Sequence, residues 1–169
     1  MAIDLTAHRG ESGFPVDHPL DALKADHNLV RQLFDRCLNS QDISERSAIC
    51  AELLMRLDMH MSMEEGAFYP SVREVDLALV DQCEAEHEAA KQLMDELRAM
   101  DLGDPQAEDL FRQLADGVRS HLDTEEQQLF PKLQQAKLDL PTIGIDMQAF
   151  ESSLLAAQGQ AAQRPGVRP

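Results

Sequence analysis

The chain has 169 residues, 43% of them hydrophobic, with 15 Lys and Arg against 31 Asp and Glu, a formal net charge of −16. That length fits one domain with a self-sufficient core. So acidic a surface repels phosphate backbones and anionic lipid headgroups, and with no Trp the chain has no base-stacking platform, which excludes nucleic acid and membrane as partners.

No stretch approaches the roughly 18 unbroken apolar residues of a membrane span, and the N-terminus lacks the apolar core of a signal peptide. A cytoplasmic location is therefore expected. Three cysteines, Cys37, Cys50 and Cys83, are too widely spaced for a zinc ribbon or a disulfide framework and read as free thiols.

In chain order, residues 1–16 contain Gly10, Gly13 and Pro15 without apolar period and predict a flexible arm. Four helical segments follow, over about 19–38, 43–68, 75–100 and 105–130. Asp17 is a candidate cap for the first. Gly103, Asp104 and Pro105 stop one helix and restart the next. A weaker amphipathic stretch at about 146–155 predicts a short helix within a 136–157 extension. Residues 158–169 predict a disordered tail. Strand signals are absent, so the expected fold is all-α. It is an up-down-up-down four-helix bundle over 17–135 with a short C-terminal helix.

The segments repeat. Asp-His-Asn-Leu-Val at 26–30 matches Glu-His-Glu-Ala-Ala at 86–90, and His-Met-Ser-Met-Glu-Glu at 60–65 matches His-Leu-Asp-Thr-Glu-Glu at 121–126. Each half supplies a lone His, His27 or His87, and a His-x-x-x-Glu pair, His60/Glu64 or His121/Glu125. A spacing of four puts His and Glu on one helix face. Those faces are the apolar ones: Leu53, Leu57, His60, Glu64 and Phe68 share one stripe, and Leu114, Val118, His121, Glu125 and Leu129 another. In an antiparallel bundle all six groups fall at one height.

A single His on an apolar stripe is usually a hydrogen-bonded core residue. Six imidazoles and carboxylates at one level are different, because each unpaired buried carboxylate costs at least several kcal/mol. Bound cations explain both the burial and its duplication. Two His and one carboxylate per metal suit non-haem iron, with Glu64 and Glu125 bridging two irons. Zinc favours closed, Cys-rich sites. The ferritin pattern needs two Glu-x-x-His motifs, and only Glu84/His87 fits.

These motifs resemble the hemerythrin-like (HHE) cation-binding proteins. The resemblance rests on Asp26-His27, the 60–70 segment ending Phe-Tyr-Pro, Glu86-His87 and the 121–131 segment ending Leu-Phe-Pro. It implies a di-iron centre with an oxo or hydroxo bridge, ligated by His27, His60, Glu64, His87, His121 and Glu125. It also implies reaction with dioxygen, nitric oxide or peroxide in redox or nitrosative stress, with an electron donor or signalling partner, or sensing and storage of oxygen or nitric oxide without turnover. Oxygen carriers of the family have a fifth His four residues before the third-helix His; here that residue is Cys83. The resemblance is therefore to the four-His, two-Glu branch.

The remaining polar residues have plainer readings. Glu65, Glu126 and Glu86 are read as solvated charges, Tyr69 as packing, Cys83 as a small core residue beside the site, and His8 and His18 as binding nothing.

Overall fold

This computed structural model describes residues 3–163, and among them all side chains except Glu11 and 160–163. Two long hairpins build the bundle: α1 (Pro19–Asn39) with α2 (Ile43–Met63), and α4 (Leu77–Arg98) with α5 (Pro105–Thr124). Short α3 (Tyr69–Val72) and α6 (Phe130–Gln135) continue α2 and α5, and α7 (Leu140–Gln163) follows. Helix α1 packs on α2 and α5, and α4 packs on α5. No strand occurs among the described residues, as the 3.6-residue periodicity predicts.

Aspartates start three of the four long helices by accepting from backbone amides. Asp42 caps α2 through Ser44 N and Glu45 N, Asp76 caps α4 through Leu79 N, and Asp104 caps α5 through Gln106 N. Asp17 does not cap α1. His18 occupies that position without a side-chain bond, and Pro19, whose missing N–H needs no partner, starts the helix.

Two apolar cores lie at opposite ends of the bundle. One holds Val30, Phe34, Leu53, Leu57, Leu114 and Val118; the other holds Leu20, Leu23, Phe68, Leu129, Phe130 and Met147. Between them lies the level of buried His and Glu residues.

The ends of the chain differ from the sequence expectation. The 1–16 segment, expected to be a flexible arm, forms a 3-10 turn over Ala7–Ser12 and buries Leu5 and Phe14. Gly10 and Gly13 take positive φ, 64° and 63°, where other residues are strained. The C-terminal helix is not short: α7 spans 24 residues and runs through 158–163 of the expected tail. Residues 164–169 of that tail lie outside the described residues. Helix α7 stays helical because it is docked. Met147 is fully buried, Phe150 lies over Gly66, and Gly144 admits the Val16 carbonyl. No helix of the described residues is long and apolar enough to cross a membrane.

A Cβ on Gly144 would sit 1.9 Å from the Val16 carbonyl oxygen, whereas one on Gly117 in α5 meets nothing within 4 Å. Gly144→Ala is expected to cost about 1–3 kcal/mol. Gly117→Ala is expected to add about 0.5–1 kcal/mol through helix propensity. Thermal denaturation of the two variants checks the opposite signs.

Candidate metal centre

Each helix of the two hairpins places one imidazole in the middle layer: His27 from α1, His60 from α2, His87 from α4 and His121 from α5. None exposes more than 5% of its surface, and Glu64 and Glu125 expose none. Both glutamates open a π-helical turn, Glu64–Phe68 and Glu125–Leu129. Tyr69 N and Phe130 N reach back five residues to the Glu64 and Glu125 carbonyls. A proline follows each turn, Pro70 or Pro131, and cannot donate to the carbonyl four residues before it. The ladder widens there, and the bulge turns the residues after each glutamate toward the centre.

The six groups form two pairs of imidazoles with two carboxylates between them. The ring centroids of His27 and His60 are 5.0 Å apart, and those of His87 and His121 4.5 Å. Glu64 presents Oε1 to His60 Nε2 at 3.2 Å and Oε2 to His87 Nε2 at 3.1 Å. Glu125 Oε2 lies 3.2 Å from His27 Nε2 and 3.7 Å from His121 Nε2. Each carboxylate thus spans both pairs.

His27, His60, Glu64 and Glu125 bring ligand atoms within 4.8 Å of one another, and so do Glu64, His87 and His121. Four of these atoms, His27 Nε2, His60 Nε2, Glu64 Oε1 and Glu125 Oε2, are buried without a hydrogen-bond partner. Orphaned buried polar atoms that converge on one point are rare in a folded core. Nitrogen and oxygen donors in this arrangement fit a pair of divalent or trivalent cations.

Behind the imidazoles stands a ring of carboxylates that the sequence reading left on the surface. His27 Nδ1 pairs with Glu126 at 2.8 Å, His87 Nδ1 with Glu65 at 2.9 Å, and His121 Nδ1 with Glu86 at 2.9 Å. His60 Nδ1 faces Asp26 Oδ2 at 3.5 Å, the longest of the four contacts, without a hydrogen bond. Carboxylates hydrogen-bonded as the other three are fix the tautomer and ring plane of a ligating His. The acid-His and Glu-Glu doublets of the repeat were the signal for them. His8 also departs from its plain reading, with Nε2 lying 2.6 Å from Asp26.

Burial alone pushes the His87 imidazole down, yet the Glu64 and Glu65 carboxylates outweigh it and set its pKa at about 9. Burial opposes a charge on His60 as well, but Glu64 and Asp26 raise its pKa well above the usual value. Burial favours a neutral Glu64, yet His60 and His87 hold its carboxyl well below the usual range. His27 most of all, aided by Arg31, draws the Glu126 carboxyl down to about 2. In the metal-free protein, imidazolium–carboxylate pairing carries the charge of the buried layer.

Tyr69 is a further residue that sequence reasoning placed too plainly. Its fully buried hydroxyl donates to Glu125 Oε1 at 2.8 Å and lies 3.3 Å from His87 Nε2. Its counterpart in the repeat, Phe130, stacks on His27 with centroids 5.9 Å apart. Cys83 is fully buried, within 4.8 Å of ligand atoms of Glu86 and His121. Burial first, then the Glu125, Glu86 and Glu64 carboxylates, push its thiol far up, so it is a neutral thiol.

Residues 18–133 match the model of the Hemerythrin HHE cation binding domain. The chain belongs to that family. A relative in Nostoc sp. called DNA nickase is 30% identical over 118 residues, 68% of this chain, and the chain spans only 33% of that relative's length. The crystal structure of a hemerythrin HHE cation binding domain-containing protein from Mycobacterium kansasii superimposes with a TM-score of 0.67 at 26% identity. The match covers 80% of this chain and 88% of that one. The HHE family match and that superposition agree with the helical bundle expected from the sequence.

The raised His87 pKa fixes a pH dependence. The stability it contributes is fully present below pH 6.5 and is lost as pH rises through about 9. Thermal unfolding of metal-free protein is expected to fall across that window. Metal-loaded protein, in which His87 is the neutral imidazole, is expected not to follow it.

Proposed function

We propose that the chain is a non-haem di-iron protein that binds or reacts with small oxidants (dioxygen, nitric oxide or peroxide) in the redox or nitrosative stress response. The observation that carries this reading is the pair of His pairs sharing two buried carboxylates, with four ligand atoms left unpartnered. His27 and His60 would hold one iron, His87 and His121 the other, and Glu64 and Glu125 would lie between them. Iron bound there supplies a redox-active centre with coordination positions open to a small ligand.

The protein's own groups shape what can reach that centre. A cavity of about 10 Å³, room for one water-sized molecule, opens beside His60, His87 and His121 and is walled by Leu57, Ala90 and Val118. Ala90 stands where the first repeat has the larger Val30, which leaves that space. Met61 and Leu122 complete the apolar wall, and Glu86 with the three imidazoles forms the polar one. Tyr69 keeps a proton at Oη, because burial, Glu64 and Glu125 hold its pKa well above the usual value. That hydroxyl is a hydrogen-bond donor beside His87 and Glu125, placed to hold or pass a proton there.

Cys83, not a His, lies one turn before His87, so the third helix offers one imidazole where carriers offer two. This favours onward reaction over reversible carriage. The name of the Nostoc relative is not carried over, because a net charge of −16 opposes a nucleic-acid backbone.

Protein matured with ample iron is expected to hold about two irons per chain by metal analysis; stoichiometric zinc would falsify the reading. Reduced protein is expected to lose its ferrous state within about minutes in air, on the view that both irons keep an open position. A reversible, deoxygenatable spectrum lasting hours would return the chain to the carriers, and binding without consumption would make it a sensor or store. Cys83→His, which restores the carrier spacing, is expected to slow the oxidation.

Tyr69→Phe is expected to keep its iron, since Phe130 already fills the equivalent position. It should slow peroxide consumption about 100-fold, the usual worth of a positioned acid. Unchanged turnover would remove Tyr69 from the chemistry.

A further inference from the structure

The four carboxylates behind the imidazoles are not held alike. Glu65, Glu86 and Glu126 are 32%, 27% and 26% exposed, and side chains of the bundle itself hold them: Lys91, Gln82 and Arg31. Asp26 is 12% exposed and is gripped from outside the bundle. Arg9 Nη2 donates to both its oxygens at 3.1 Å, and His8 Nε2 lies 2.6 Å from Oδ1. The other arm of the Arg9 guanidinium binds Glu151 of α7. Arg9 and Glu151 are 5% and 7% exposed, and the guanidinium rests 4.9 Å from the Phe14 ring. His8, Arg9 and Glu151 all lie outside the 18–133 match.

A buried acid–Arg–acid cluster is a poor device for docking two chain ends. Burying those charges costs nearly as much as their attraction returns, and apolar residues of similar volume often serve as well or better. What the cluster offers is orientation. One guanidinium nitrogen set between both oxygens of a carboxylate, with the other nitrogen anchored on Glu151, restricts where that carboxylate can sit. Here the fixed carboxylate is the one that faces His60 Nδ1. The same residues line a small chamber of about 20 Å³ against His60, so they also cover that imidazole's outer face. On the pseudo-equivalent face, His121 is backed only by the partly exposed Glu86.

We propose that His8, Arg9 and Glu151 are positioning residues that form a strap, holding Asp26 against His60 and making the His27/His60 metal position slower to release its ion than the His87/His121 position. This rests on the two-metal reading above. The strap acts through the imidazole it orients, and neither Arg9 nor Glu151 touches a metal. Two chemically similar half-sites thereby become kinetically distinct.

The test follows iron release to a chelator, with Mössbauer spectra to resolve the two irons. Wild-type protein is expected to release iron in two phases. Glu151→Gln and Arg9→Met are expected to speed the slow phase about tenfold, the lower end of the effect of outer-shell changes on metal affinity, and to leave the fast phase unchanged. The spectrum of one iron should shift while the other holds. Arg9→Lys, which keeps the charge but not the two-armed link between Asp26 and Glu151, should recover part of the slow phase.

Phe111→Leu, in the distant apolar core, lowers stability without touching the strap and is expected to change neither phase. If Arg9→Met fails to fold, Glu151→Gln carries the test, because it leaves the Arg9–Asp26 pair in place. Acceleration of both phases together, matched by Phe111→Leu, overturns the strap and leaves a purely structural role. Release at the wild-type rate in both variants also overturns it. Wild-type protein with fewer than two irons overturns the metal reading and the strap with it, an outcome separable from the other two.

Discussion

Four imidazoles and two carboxylates occupy one level of a bundle whose other levels are apolar, and the surrounding architecture answers to that burden. Carboxylates as deeply buried as Glu64 and Glu125 need compensating charge or they would cost much of a domain's net stability. In the metal-free protein, imidazolium rings raised in pKa by those same carboxylates supply the charge. A cation at the same point would do so with donors that need no proton. The two apolar cores on either side surround the level with low-dielectric material, which strengthens every charge interaction in it.

The repeat makes the layer nearly two-fold, but the departures from symmetry fall on one side. Tyr69 faces His87 where Phe130 stacks on His27. Cys83 corresponds to Leu23, and Ala90 to Val30. The His87/His121 half has the hydroxyl and the thiol, while the His27/His60 half has the stacked Phe130 ring and the Arg9 contacts behind Asp26. The asymmetry between the halves lies in those substitutions rather than in any difference among the six central residues.

Closure of the His60 side depends on segments outside the bundle. The N-terminal turn needs positive φ at Gly10 and Gly13 to bring His8 and Arg9 onto α1. Helix α7 needs Gly144 and Gly66 to approach closely enough for Glu151 to meet Arg9. These small residues act on the metal layer only through the contacts they permit.

The sequence by itself determined the helical fold, the duplicated hairpins and the height of the six central groups. Each of these is local: apolar period, a His-x-x-x-Glu spacing of one helical turn, and helix lengths set by Asp caps and prolines. Only the tertiary structure decided which carboxylate backs which imidazole. Glu65 reaches His87 and Glu126 reaches His27 across the two hairpins, and the π-helical turns set their directions. Helical periodicity gives a side chain's angle on its own axis, so a shift of one residue in the ladder moves Glu65 or Glu126 from solvent to site. The packing of the 1–16 segment and the full length of α7 were likewise decided by each other's surface. Neither has a strong apolar period of its own, and both are held by glycine gaps and one shared arginine.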